Sequence, residues 1–104
     1  MFSEKVYALC KKVPRGKVTT YAEIAKQLNT KAYQAIGQIL KRNPYAPIIP
    51  CHRVIKSDGT LGGFFGRNIK QKMNLLTEEG IIIEKGKIDL RKFGHKFKAY
   101  LTSA

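Results

Sequence analysis

The chain has 104 residues, a length at which folding buries roughly 65% of the surface the unfolded chain exposes. That leaves room for one modest core and excludes a long multidomain enzyme. Its 43% hydrophobic and 10% aromatic content excludes wholesale disorder. Lys plus Arg number 20 against 7 Asp plus Glu, a formal net charge of +13. Such a balance resists compaction and calls for a polyanionic partner, nucleic acid before membrane. No apolar run approaches the ~20 residues of a spanning helix, and the start Met1-Phe2-Ser3-Glu4-Lys5 lacks a signal-peptide apolar region. The expectation is an intracellular, non-secreted protein, monomeric in solution and without membrane contact. Its two cysteines, Cys10 and Cys51, form no disulfide framework. With His52 and His95 as the only further soft ligands, and no paired spacing, no metal site is expected.

Over residues 1–13, Val6, Leu9, Cys10 and Val13 fall at i, i+3, i+4, i+7, the apolar stripe of an amphipathic helix that Pro14 and Gly16 end. Cys10 reads as core on that stripe. Thr20-Tyr21-Ala22-Glu23 is a capping-box pattern and opens a second helix whose inner face is Ile24, Ala25 and Leu28. Asn29-Thr30-Lys31 supplies a turn and a new N-cap. Ala32 to Lys41 then carries Ala35, Ile36, Ile39 and Leu40 on one side until Asn43-Pro44 stops it. Two short helices across a tight turn predict a helix-turn-helix over about residues 20–41. The Pro-interrupted stretch to Pro50, a short strand near Val54-Ile55 and the Asp58-Gly59 turn predict a loop region over about 43–66. Asn68 caps a fourth helix to about Glu79, with Ile69, Met73 and Leu76 inward and Gly80 as its stop. Ile81–Ile83 and Lys87–Leu90 flank Lys85-Gly86 as a hairpin, and an exposed basic tail over about 91–104 carries Arg91, Lys92, Lys96 and Lys98. No repeat or linker divides the chain, so residues 1–104 read as one unit.

The sharpest chemical feature is Pro50-Cys51-His52-Arg53, a thiol beside an imidazole and a guanidinium. Positive neighbours favour the thiolate, the soft nucleophile. The residues alone equally admit a small buried hydrophobe next to two solvated polar side chains.

Ile49-Pro50-Cys51-His52-Arg53-Val54-Ile55, followed by Ser57-Asp58-Gly59-Thr60-Leu61-Gly62-Gly63-Phe64, resembles the active-site signature of the O6-alkylguanine-DNA alkyltransferases, also called methylated-DNA-protein-cysteine methyltransferases. Val13 to Tyr21 resembles the family's lead-in to its helix-turn-helix, Asn43-Pro44 lies at the family's spacing before the cysteine, and Leu75 to Gly80 resembles the segment holding its buried glutamate. The resemblance implies a mainly α, small winged-helix-like domain with a helix-turn-helix, an active-site loop and a short β-hairpin. It further implies a cofactor-free suicide repair protein that flips O6-alkylguanine from double-stranded DNA, bound through the minor groove, and takes the alkyl group once onto Cys51. By the family's pattern Glu79 holds His52, His52 takes the Cys51 proton through a water, and Asn43 bridges the helix-turn-helix to the active-site turn. Tyr21 meets the phosphate at the lesion and Leu40 walls the pocket. Gly59, Gly62 and Gly63 let backbone approach the base, the carbonyls of Cys51 and Val54 read its edge, and the Phe65 amide supports the leaving group. Lys31, Lys41, Arg42 and Arg53 are the expected phosphate anchors.

Two positions depart from the family. Gln34 stands where an arginine usually fills the gap left by the flipped base, with Tyr33 beside it. Phe64 stands where many relatives carry a tyrosine whose hydroxyl can donate to O6. Two alternatives remain at this level: a non-catalytic alkyltransferase-like module that flags alkylguanine for excision repair, against which Cys51 argues, and a basic helix-turn-helix protein that binds DNA without chemistry.

Overall fold

The computed structural model describes residues 2–42, 44–45, 48–61, 69–95 and 97. The chain is mainly helical. Helix α1, Phe2–Lys12, buries Val6, Leu9 and Cys10, and Val13 just beyond it is fully buried, as the stripe predicts. A tight turn closed by the Lys17 amide on the Pro14 carbonyl at 3.1 Å, with Gly16 at φ +90°, redirects the chain into strand β1, Thr19–Thr20. Thr20 is at once strand residue and N-cap of α2, Tyr21–Gln27: its hydroxyl accepts the Glu23 amide at 3.0 Å.

Asn29 takes the left-handed conformation, φ 54°, that asparagine tolerates better than most residues, and the Thr30 amide returns to the Ala25 carbonyl. Helix α3, Tyr33–Lys41, is preceded by Ala32, which makes no side-chain cap; the Thr30 hydroxyl instead accepts the Ala32 amide within the turn. Ile36 and Leu40 are buried in α3 and Ile39 is half-buried, whereas Ala35, expected inside, faces solvent. The Tyr7 hydroxyl donates to the Ile39 carbonyl at 2.9 Å and ties α1 to α3.

Strand β2, Val54–Ile55, pairs in parallel with β1, Thr19 opposite Val54 and Thr20 opposite Ile55. This pairing joins the start of the helix-turn-helix directly to the Cys51 turn. Because consecutive strand residues face opposite ways, Val54 enters one buried cluster, with Val6, Leu9, Cys10, Ile24, Ala25, Ile36, Leu40, Ile49 and Cys51. Ile55 enters a second, with Val18, Leu61, Leu76, Ile81 and Ile88. The single core expected from length is thus split in two by a two-stranded sheet.

Helix α4, Ile69–Glu78, buries Lys72 and Leu76. Ile69, expected inward, is 39% exposed, while Met73 and Leu76 pack on the second cluster as expected. Its end is a Schellman cap: the Gly80 amide meets the Thr77 carbonyl and the Ile81 amide the Leu76 carbonyl, with Gly80 at φ +89°. The predicted hairpin forms as β3, Ile83–Glu84, against β4, Lys87–Ile88, turning on Lys85 and Gly86, both at positive φ as a two-residue turn requires. Leu90, expected in the hairpin, instead starts a short helix α5, Leu90–Phe93, capped by Asp89. Of the expected exposed tail, Arg91 and Lys92 are exposed, Phe93 packs on the second cluster with Leu90 and Phe97 on the first, and Lys96 and Lys98 lie outside the described residues. Among the described residues no helix is long and apolar enough to cross a membrane.

Candidate active site

Cys51 opens a single 3-10 turn, Cys51–Arg53, stabilised by the Cys51 amide on the Ile49 carbonyl at 2.8 Å and the Arg53 amide on the Pro50 carbonyl at 3.0 Å. Such a turn fans three successive side chains in three directions. Cys51 points into the first cluster, 4% exposed; His52 and Arg53 both reach Glu79 at the end of α4.

The Glu79 carboxylate is the hub. Its Oε2 lies 3.0 Å from His52 Nε2. Arg53 donates to it through Nε, 2.8 Å to Oε1, and Nη2, 2.6 Å to Oε2, and its Nη1 donates to the Val13 carbonyl at 2.9 Å. Burial pushes the Glu79 carboxyl upward, but hydrogen bonds from Arg53 and His52 outweigh it and hold it below its ordinary value. His52, 2% exposed, is lowered from its ordinary value, first by burial and further by Arg53 and Lys72, against the raising effect of Glu79. Its imidazole is therefore neutral near pH 7. With the carboxylate facing Nε2, the proton sits there, and Nδ1 is left with its lone pair. That Nδ1 is buried and has no hydrogen-bond partner: a proton acceptor held next in sequence to a thiol.

Lys72 was not anticipated. Its side chain is completely buried, and Nζ donates to the carbonyls of Val54 at 2.9 Å and Leu61 at 2.7 Å. Burial lowers it to about 8, partly opposed by Cys51. It therefore joins the strand that follows the Cys51 turn to the strand end that precedes the glycine-rich segment. The available signal is its position four residues before Leu76, on the buried stripe of α4.

Of the other expected site residues, Leu40 and Val54 are buried in the cluster with Cys51, and Tyr21 packs against it. Burial, then the Cys51 and Cys10 thiols, push the Tyr21 hydroxyl up to about 12, so it stays protonated and able to donate. Gln34 is exposed on α3, and Tyr33 beside it is half-exposed. Lys31, Lys41 and Arg42 are exposed, in keeping with a surface role. Arg53, expected on a phosphate, is turned inward with its guanidinium engaged by Glu79 and Val13; the carboxylate one helix end away outcompetes solvent for it. Asn43, Gly62, Gly63, Phe64 and Phe65 lie outside the described residues. Cys10 is fully buried, with burial first and Cys51 second pushing its thiol to about 12. Among the described residues no group of three or more His, Cys, Asp or Glu is placed to hold a metal.

A family model described as "6-O-methylguanine DNA methyltransferase, DNA binding domain" matches residues 1–81. The methylated-DNA–protein-cysteine methyltransferase of Thermococcus kodakarensis is 47% identical over 81 residues, 77% of this chain and 45% of that protein. The chain therefore spans less than half the length of that relative. Among solved structures, Mycobacterium tuberculosis OGT in complex with DNA matches with a TM-score of 0.70 and 39% identity, over 75% of this chain and 48% of that one. S. pombe Atl1, in complex with damaged DNA containing O6-carboxymethylguanine, matches with a TM-score of 0.79 and 32% identity, over 92% of this chain and 95% of that one.

Proposed function

The chain belongs to the 6-O-methylguanine DNA methyltransferase family through its DNA-binding domain, and on that premise we propose that it draws O6-alkylguanine out of duplex DNA and transfers the alkyl group irreversibly to Cys51. The observation that carries this reading is the buried His52–Glu79 pair next in sequence to Cys51, with His52 Nδ1 unpartnered and Nε2 on Glu79. His52 takes the thiol proton through a water; the thiolate then attacks the alkyl carbon in line, the S–C bond forms as the C–O6 bond breaks, and guanine leaves with the electron pair of that bond and is protonated. Glu79 favours the imidazolium that forms, while burial, with the Arg53 and Lys72 charges added to it, keeps the resting imidazole neutral and ready. A thioether has no leaving group as good as guanine, so the protein acts once. Metal and cofactor play no part in this scheme.

Delivery of the base falls to α3, which we assign to the minor groove, Gln34 and Tyr33 outward and Ile36 and Leu40 inward. Tyr21, a protonated donor at the start of α2, meets the phosphate. Lys31, Lys41 and Arg42 supply counterion-releasing contacts. Asn43 and the segment holding Gly62, Gly63, Phe64 and Phe65 complete the pocket in this proposal. The cell interior is the place for this work.

A second reading, lesion binding without transfer, has one specific support: S. pombe Atl1 matches 92% of this chain with a TM-score of 0.79, against 75% and 0.70 for M. tuberculosis OGT. Intact-mass spectrometry after incubation with a duplex carrying one O6-methylguanine, followed by peptide mapping, separates the two. One methyl on Cys51, saturating at one per protein, is the expected result. Tight lesion-selective binding with no added mass establishes the second reading, and equal binding to damaged and undamaged duplex excludes both.

A further inference from the structure

Beyond the residues that match the family model, the chain continues through the hairpin, α5 and on to Phe97. This segment makes backbone contacts at two separated places, and both flank the site. At the first, the Ile88 amide donates to the Gly59 carbonyl at 2.9 Å, and Lys87 bridges Thr60 in antiparallel fashion. The approach is so close that a Cβ on Gly59, itself at φ +90°, would lie 2.8 Å from the Ile88 carbonyl oxygen; only glycine fits. At the second, the Val18 amide donates to the Phe93 carbonyl at 2.9 Å, and the His95 amide to the Val18 carbonyl at 2.6 Å. Gly94 thereby lies parallel to Val18 and adds a third line of backbone to the β1–β2 pair. Lys17 Nζ closes on the Lys92 carbonyl at 3.0 Å.

The two contacts grip the two segments that lead into the site. Val18 runs through β1 straight into Tyr21, and Gly59 runs through Leu61, whose carbonyl Lys72 holds, into the glycine-rich segment. Between the grips Ile88 is buried and Leu90 and Phe93 pack on the second cluster. Phe97, its ring meeting His95 edge-on at 5.2 Å, packs on the first cluster, the one that contains Cys51. A segment fastened to both flanks and to both clusters fixes their mutual distance, and recognition of a flipped base is sensitive to such distances.

We propose that residues 82–97 are a positioning strap for lesion recognition, holding the strand that leads into Tyr21 and the Gly59–Leu61 turn at a fixed spacing beside the Cys51 site. The proposal rests on the reading that the site takes an alkylated base, whether or not transfer follows. His95→Pro removes the one amide that donates to Val18. Gly94, at φ −70° and ψ 135°, already has the extended backbone a residue before proline needs. His95→Phe keeps both the amide and the ring contact. Dissociation constants are measured at one salt concentration for a duplex with a single O6-methylguanine and for the same duplex undamaged. The expected result is that His95→Pro binds undamaged duplex as the wild type does and loses about tenfold of its preference for the lesion, while His95→Phe keeps that preference. An unchanged preference in His95→Pro overturns the strap, and so does an equal loss on both duplexes, which marks a brace of the fold alone. If His95→Pro does not fold, Phe97→Ala carries the same expectation and the same overturning results. A wild-type chain without lesion preference overturns the functional reading and the strap together, a result visible before any variant is made.

Discussion

Cys10 and Cys51 share one hydrophobic cluster and are buried to nearly the same degree, yet their surroundings assign them opposite work. Cys10 sits in the last turn of α1 on its buried stripe, where burial first and Cys51 second drive its thiol to about 12. Cys51 begins a 3-10 turn, and the next two side chains of that turn are a neutral imidazole with a free lone pair and a guanidinium clamped on a shared carboxylate. Burial alone makes a thiol inert. What separates the two is the turn, which follows Cys51 directly with a buried imidazole held on Glu79.

The largest effect expected from this contrast is all or none. Cys51→Ala abolishes methyl uptake from an O6-methylguanine duplex, whereas Cys10→Ala takes up one methyl per chain and loses only about 1 kcal/mol of stability, read by intact mass and by urea melts. Methyl on Cys10 in the Cys51→Ala protein would break the comparison. Next comes Glu79→Gln. It leaves the Arg53 guanidinium without its counter-charge and removes the carboxylate that favours imidazolium. Single-turnover transfer slows by about a hundredfold, and stability falls by about 3 kcal/mol. Transfer at the wild-type rate in a destabilised Glu79→Gln protein would reduce Glu79 to a structural tie.

Two buried groups near the site titrate with opposite consequences. Lys72, at about 8 against an ordinary 10.5, binds its proton more weakly folded than unfolded. Its contribution to stability is full above the unfolded value and is lost as pH falls through about 8, so between those values it makes stability rise with pH. Cys10, at about 12 against an ordinary 9.0, holds its proton more tightly when folded. Its contribution is full below pH 9 and lost as pH rises toward 12. Urea melts from pH 7 to 10 are therefore steepest in upward slope for Cys10→Ala, which keeps the Lys72 effect without that of Cys10, and most downward for Lys72→Met, which keeps the Cys10 effect without that of Lys72. The wild type falls between them. Identical slopes in all three proteins would show that neither group is as buried as its contacts imply.

What could be read from the residues was whatever repeats or punctuates. The α1 stripe, the Thr20 cap, the Gly80 stop and the Lys85-Gly86 turn are local rules, and the structure follows each. Membership in the family was legible because Cys51, His52 and Glu79 carry it in order. The β1–β2 pairing was not legible, since two residues per strand are too few to show alternation, and with it went the division of the core into two clusters. The direction of Arg53 was hidden for a different reason: a guanidinium between solvent and a carboxylate 26 residues away is decided by tertiary approach, which composition does not report. Lys72 lies on the inward side of α4, but a lysine there reads as a solvated side chain, and α5 is too short to have a period.

The smallest expected effect lies on the DNA side of Cys51. Helix α3 packs by Ile36 and Leu40 onto the cluster that both cysteines share and presents Gln34 to solvent. In the proposed complex that side chain fills the space the flipped base vacates. Glutamine can hydrogen-bond the orphaned cytosine, but it has neither the charge to draw the phosphates inward nor the planar fork that stacks between base pairs. Gln34→Arg should therefore speed single-turnover transfer from duplex by several-fold, about 1 kcal/mol of barrier. Transfer from the free O6-alkylguanine base should stay unchanged, because that substrate needs no flipping and meets Cys51, His52 and Glu79 alone. Equal gains on both substrates would place the effect inside the pocket rather than at the gap. No gain on the duplex would mean that Gln34, or Tyr33 beside it, already holds the gap as well as an arginine does.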